Sequence, residues 1–165
     1  MLDLCTGSGC LAILAARAFP RARVEGADIS ARALVVARRN VTMHRLCNRV
    51  RLVKSALMSN LGKRRYDLIL CNPPYVNAPS MRALPREYLH EPRMALAGGS
   101  DGLSLVRIIL HQAFERLEPK GELICEIGKN RGALQRAFPN TPFRWPADQV
   151  FRVRRKDLPR RENVG

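Results

Sequence analysis

Acidic side chains are scarce in this sequence: 14 Asp and Glu stand against 29 Lys and Arg, leaving a net charge of +15. A surface of that sign raises local affinity for nucleic acid or a ribonucleoprotein in a salt-dependent, sequence-blind way. It names a neighbourhood, not a substrate. A long apolar run is also missing. The longest, over residues 10–19, is too short to span a bilayer and follows no signal-like start, which points to a soluble cytoplasmic protein with no membrane partner. The five cysteines, Cys5, Cys10, Cys47, Cys71 and Cys125, contain no C-x-x-C pair. Four lie in or beside apolar runs, so buried free thiols in a reducing compartment are expected, with no metal site and no disulfide. Aromatic residues make up 5% of the chain. Few beyond Tyr75 and Tyr88 lie where an unstacked nucleobase would need one. Internal repeats and low-complexity blocks are absent.

What is present suits one domain: 165 residues, 46% of them hydrophobic, supply a substantial core. Residues 1–5 read as a strand, Thr6-Gly7-Ser8-Gly9 as a tight turn, and 10–19 as a helix stopped by Pro20. That helix is apolar nearly all round, so burial against a sheet is expected. Residues 23–27 read as a second strand ending at Asp28, and Ser30 caps a helix with Leu34, Ala37 and Val41 on one face. Residues 50–53 and 66–71 are further strands. This alternation calls for an α/β fold with a parallel doubly wound sheet, whose ligands collect beyond the strands' carboxyl ends at the switch point.

Two turns would meet there. Gly7 and Gly9 let a ligand approach the backbone at the positive end of a helix. Asp28, about 20 residues further on, is placed to accept two ribose hydroxyls. Ser55-Ala56-Leu57 follows the third strand where the adenine of a nucleoside would lie. Gly7, Gly9 and Ala12 satisfy G-x-G-x-x-G/A, so the glycine pattern does not separate a nicotinamide enzyme from a methyl-donor enzyme.

The other turn is Asn72-Pro73-Pro74-Tyr75, closing the run Tyr66-Asp67-Leu68-Ile69-Leu70-Cys71. A proline pushes the preceding residue into the extended region, and Pro73 fixes its own φ and has no N–H. The Asn72 side chain and the Pro73 carbonyl can therefore face one small site as two acceptors. Such a pair suits a planar –NH2: each oxygen takes one N–H and leaves the nitrogen lone pair free for an electrophile. Tyr75 can lie flat against the same group. A plain strand-ending turn has the same composition.

Residues 76–102 are irregular, with Pro79, Pro85, Pro92, Gly98, Gly99 and Gly102. A long segment of this kind reads as a functional loop, here shaping an acceptor pocket with Tyr88, His90 and Glu91 as polar candidates. Leu103, Val106, Leu110, Ala113, Phe114 and Leu117 mark an amphipathic helix, and Pro119-Lys120-Gly121 reads as a turn into a strand over 122–127. A short helix through Leu134 and Phe138 follows, then a hairpin from 143–145 and 150–153. The tail from Arg152 carries six Lys/Arg and reads as a solvated end. Residues 1–154 are thus expected to form the domain and 155–165 a basic C-terminal tail.

Leu2-Asp3-Leu4-Cys5-Thr6-Gly7-Ser8-Gly9-Cys10, with Asp28 and Asn72-Pro73-Pro74-Tyr75, resembles the HemK/PrmB family of S-adenosylmethionine-dependent protein-glutamine N5-methyltransferases. Tyr88-Leu89-His90-Glu91-Pro92, Ala97-Gly98-Gly99-Ser100-Asp101-Gly102-Leu103 and Phe138-Pro139 with Pro142-Phe143-Arg144-Trp145 look like the branch acting on the third large-subunit ribosomal protein. The resemblance runs from Met1 to about Trp145. It implies a seven-stranded, Rossmann-like methyltransferase sheet over 1–154 and S-adenosyl-L-methionine as cofactor. By position, Asp3, Cys5, Thr6, Gly7, Ser8, Gly9, Asp28, Leu57 and Asn72 would hold the donor. Asn72, Pro73, Pro74 and Tyr75 would form the catalytic turn, transfer being a direct displacement at the sulfonium. The partner implied is a large-subunit ribosomal protein, with nearby ribosomal RNA met by the basic surface.

The chain departs from the family at three places. Family members carry a helical substrate-recognition domain before the first strand, whereas this chain starts inside that strand, as a catalytic domain cut from a longer enzyme or a decayed copy would. Ala56 stands where an acidic residue is usual. Asp148-Gln149 leads straight into Val150, without a glycine-rich turn. Three other readings therefore stay open: an N6-adenine nucleic-acid methyltransferase, a truncated non-catalytic donor-binding fold, and a nicotinamide oxidoreductase.

Overall fold

The computed structural model describes residues 1–74 and 102–159. Its strands are β1 (Leu2–Leu4), β2 (Val24–Asp28), β3 (Val50–Lys54), β4 (Tyr66–Cys71), β5 (Leu117–Glu126), β6 (Arg144–Ala147) and β7 (Val150–Arg154). The described helices are α1 (Cys10–Ala18), α2 (Ala31–Met43), α3 (Ser104–Arg116) and α4 (Arg131–Ala137). The strands form one sheet in the order β3-β2-β1-β4-β5-β7-β6. β3 through β5 are parallel, while β7 runs antiparallel to both neighbours. The hairpin expected from 143–145 and 150–153 is present as β6 and β7 and gives the otherwise parallel sheet its antiparallel edge. Asp148-Gln149 is too short for a crossover, so β6 and β7 can pair only as a hairpin.

Side chains alternate across the pleat, which divides the core in two. Leu2, Leu4, Ala27, Ile69, Cys71, Leu123 and Cys125 join α3 on one face, through Val106, Ile109, Leu110 and Ala113. Val24 and Val50 join α1 and α2 on the other, through Ala12, Ile13, Ala16 and Val41. The full burial expected of α1 is corrected. Leu11 and Leu14 are 37% and 54% exposed, because small Ala12, Ala15 and Ala16 bring the helix close to the sheet and leave the leucines outward. α2 follows the expectation, with Leu34, Ala37 and Val41 buried and Ser30 Oγ accepting from Ala33 N at 3.2 Å.

β5 starts directly after α3, so the turn expected at Pro119-Lys120-Gly121 is corrected to a bulge inside the strand. Tyr66 pairs with Leu117 and Leu68 with Glu122, leaving the intervening residues bowed out. A Cβ on Gly121 would lie 2.9 Å from the Tyr66 carbonyl oxygen, so the bulge closes only around glycine. The solvated end expected from Arg152 is corrected for its first half. Arg152 and Arg154 donate to Glu122 Oε1 at 2.7 and 3.3 Å, Arg155 stacks on Phe114, and Leu158 is buried. No described helix is long and apolar enough to cross a membrane.

Candidate active site

The chain winds outward from β1 to β3 on one side and from β4 to β5 on the other, where the hairpin adds β7 and then β6, so its order reverses between β1 and β4. Leu4 pairs with Cys71 across that boundary and Ala27 pairs with Leu4 on the opposite flank. The next residues along, Cys5, Asn72 and Asp28, therefore leave the sheet side by side at its carboxyl edge, with neighbouring strands about 5 Å apart. The two sequence turns meet as expected.

The first turn is held by buried carboxylate chemistry. Asp3 is 1% exposed, and its Oδ2 accepts from Thr6 Oγ1 at 2.5 Å and from Ala12 N at 2.8 Å, tying β1 to the start of α1. Its Oδ1 is buried without a partner. Burial pushes the Asp3 carboxyl up to about 6, the Thr6 and Ala12 hydrogen bonds oppose that, and nearby Asp28 adds to it. Between these anchors Gly7 and Gly9 adopt φ of 54° and 82°, and Cys5 shares the left-handed region at 59°. For Cys5 that conformation costs about 1–2 kcal/mol relative to an ordinary backbone. Among the described residues a Cβ on Gly7 would meet only the Cys5 carbonyl oxygen, 4.0 Å away, so none of them crowds the backbone there.

Asp28 braces the same turn: Oδ2 accepts from Gly7 N at 2.9 Å and Oδ1 from Ser30 N at 2.8 Å. Thr6 N donates to the Ala27 carbonyl, and Asn40 Nδ2 donates to the Ser8 carbonyl at 2.9 Å. After β3, Ala56 is exposed and offers no side-chain acceptor. Leu57 sits half-buried at φ 50° against the core. Asn72 is exposed, Pro73 buried and Pro74 half-buried. Tyr75 and the expected pocket residues Tyr88, His90 and Glu91 lie outside the described residues.

The cysteine expectation is corrected in part. All five are free, but only Cys71 and Cys125 are buried, while Cys10 and Cys47 are exposed. Cys71 pairs with Cys125 across the strands. Burial pushes its thiol well up, and the neighbouring Cys125 and Cys5 thiols add to that. Among the described residues no cluster of His, Cys, Asp or Glu fits a metal ion.

Residues 1–99 match the family described as the methyltransferase small domain. The chain belongs to that family. Among its curated relatives are the ribosomal protein uL3 glutamine methyltransferases of Bradyrhizobium diazoefficiens and Bordetella pertussis. The first is 57% identical over 96% of this chain and 51% of the relative, the second 50% over 95% and 54%. The chain thus spans about half the length of the curated relatives it matches. The fold agrees with a solved ribosomal protein L11 methylase from Lactobacillus delbrueckii subsp. bulgaricus, with TM-score 0.63 and 20% identity over 92% of this chain and 66% of that one. Two long-range hydrogen bonds near the site were missed in the sequence: Asn40 Nδ2 on the Ser8 carbonyl of the glycine turn, and Gln112 Oε1 accepting from Met58 N, after β3, at 3.3 Å. Nothing in a helix-face pattern marks one polar residue as reaching a turn dozens of positions away.

Proposed function

We propose that the chain is the donor-binding and catalytic part of an S-adenosyl-L-methionine-dependent protein-glutamine N5-methyltransferase acting in the cytoplasm on ribosomal protein uL3. The observation that carries this is the Leu4–Cys71 register, which sets a glycine turn suited to a nucleoside beside Asn72-Pro73-Pro74. Identity of 57% to a uL3 glutamine methyltransferase supports the substrate.

The residues present fit the donor. Gly7 leaves its backbone open to a ligand, Asp3 keeps an unpaired buried oxygen beneath the turn, and the Asp28 oxygens retain lone pairs for ribose hydroxyls. Cys5, Thr6, Gly7, Ser8 and Gly9 would wrap the methionine portion, and Leu57 would lie along adenine. When bound, the donor supplies an electrophilic methyl group on a sulfonium. Asn72 Oδ1 and the Pro73 carbonyl each accept one N–H of the glutamine amide, fixing its plane and turning the nitrogen lone pair toward the donor. Pro74 stiffens this turn. An amide nitrogen is a weak nucleophile, so orientation does more here than a general base, and the surplus proton leaves to solvent.

Undermethylated ribosomal particles incubated with methyl-labelled donor, then digested with protease or nuclease, test the assignment. Label is expected in a glutamine of uL3. Label released in nucleotides would instead establish adenine methylation, whose exocyclic amine presents the same planar –NH2.

A further inference from the structure

The positive charge is unevenly placed. Residues 10–65 hold thirteen of the 29 Lys and Arg and only two acids, Glu25 and Asp28. Neither acid offsets the surface charge. Glu25 is buried with Arg64 and Arg51 at 2.8 and 3.7 Å, and Asp28 receives backbone N–H groups at the carboxyl edge.

Topology gathers the arginines at the other edge. α1 and α2 run back against the parallel strands, so their last turns and the strands' first residues share the amino end of the sheet. Arg17 closes α1, Arg21 precedes β2, Arg45 follows α2 and Arg65 precedes β4. Arg49 Nη1 donates to the Pro20 and Phe19 carbonyls at 2.7 and 3.4 Å, joining the end of α1 to the start of β3. Arg17, Arg21, Arg45 and Arg65 are exposed, and among the described residues none of them pairs with a carboxylate. Beside Arg17 and Arg21 stands Phe19, 51% exposed, the only exposed Phe, Tyr or Trp among the described residues.

We propose that this rim is an RNA-docking surface, separate from the methyl-transfer crevice. Guanidinium groups bind phosphate as planar forks, and releasing the counterions of a phosphate chain favours association. The exposed Phe19 ring among these arginines offers a face for one unstacked base. That combination selects RNA over an acidic protein or an anionic membrane. A five-residue strand separates rim from crevice by on the order of 15 Å, so both can be occupied together. The proposal rests on the uL3 reading only for the RNA being ribosomal.

Anisotropy with a fluorescent single-stranded fragment of ribosomal RNA, at about 50 and 200 mM salt, tests it. R17E/R21E/R45E is compared with K129E/R136E/R144E, which removes the same charge from the far side of the sheet. The rim variant should lose more than about tenfold in affinity and about two units of salt slope, and the control much less. R17Q/R21Q/R45Q should show the same direction if the glutamate variant misfolds. Saturating S-adenosylhomocysteine should leave RNA affinity unchanged. Equal losses in both triple variants, no RNA binding by the wild type, competition by S-adenosylhomocysteine, or equally tight binding of polyglutamate or anionic vesicles would each overturn the proposal. Calorimetry with S-adenosylhomocysteine on the same variants reads the crevice separately, so failure of the rim and failure of the methyltransferase assignment are distinguishable.

Discussion

Asp3 and Glu25 are both buried carboxylates on adjacent parallel strands, 1% and 6% exposed, yet their surroundings differ in kind. Glu25, at the amino end, is saturated: Arg64 donates to Oε1 and Tyr66 Oη to Oε2, each at 2.8 Å. Asp3, one register position further along the neighbouring strand and on the opposite face of the sheet, has one oxygen without a partner and, among the described residues, no cation close by. Desolvating a carboxylate is tolerable when partners replace the lost water, as at Glu25. At Asp3 the same cost is only partly offset, so its carboxyl holds a proton more tightly.

The largest expected effect breaks that contrast from the Asp3 side. Burial places the folded carboxyl near 6 against 3.8 unfolded, so the folded state binds the proton more tightly. The resulting stability is full below the unfolded value and is lost as pH rises through about 6, a change of about 2–3 kcal/mol. Asp3→Asn removes the titration. Denaturant unfolding from acid to neutral pH should show the variant gaining that amount relative to wild type, while donor affinity falls. Parallel stability curves would place Asp3 in an ordinary saturated environment.

Glu25→Ala acts from the other side and should cost about 2 kcal/mol, because it strands the buried Tyr66 hydroxyl while half-exposed Arg64 escapes to water. The Tyr66 hydroxyl, now held high by burial first and by Glu25 next, should then ionise at lower pH in an ultraviolet titration. A smaller loss, about 1 kcal/mol, is expected for Gly7→Ala, from its left-handed backbone alone. Its donor affinity should fall more than about tenfold, since the new methyl points where a ligand approaches. Arg51→Ala should change stability by less than about 0.5 kcal/mol, because Arg51 is 64% exposed and 3.7 Å from Glu25. A larger effect would mean that Glu25 depends on both arginines.

The carboxyl edge was legible in the sequence because turn chemistry is local. Gly7, Gly9, Ser30 and the Asn72-Pro73-Pro74 run state their backbone geometry within a few residues, and strand alternation then fixes which turns meet. The amino edge was not. Glu25, Tyr66 and Arg64 join over separations of 39 and 41 residues, and no periodicity announces such a pairing. The same limit hid the bulge at Gly121, which a strand running alongside imposes, and the packing of Arg155 and Leu158, which a count of basic residues reads as solvated. The apolar all-round look of α1 misled because it counts residues without asking which face the alanines take.

The register that puts Cys5 beside Asn72 is tested most directly by Asn72→Ala. Calorimetry should find S-adenosylhomocysteine bound nearly as tightly as by the wild type, while methyl transfer to glutamine in uL3 falls at least about a hundredfold. Transfer at the wild-type rate by that variant would contradict the assignment of the amide site to Asn72.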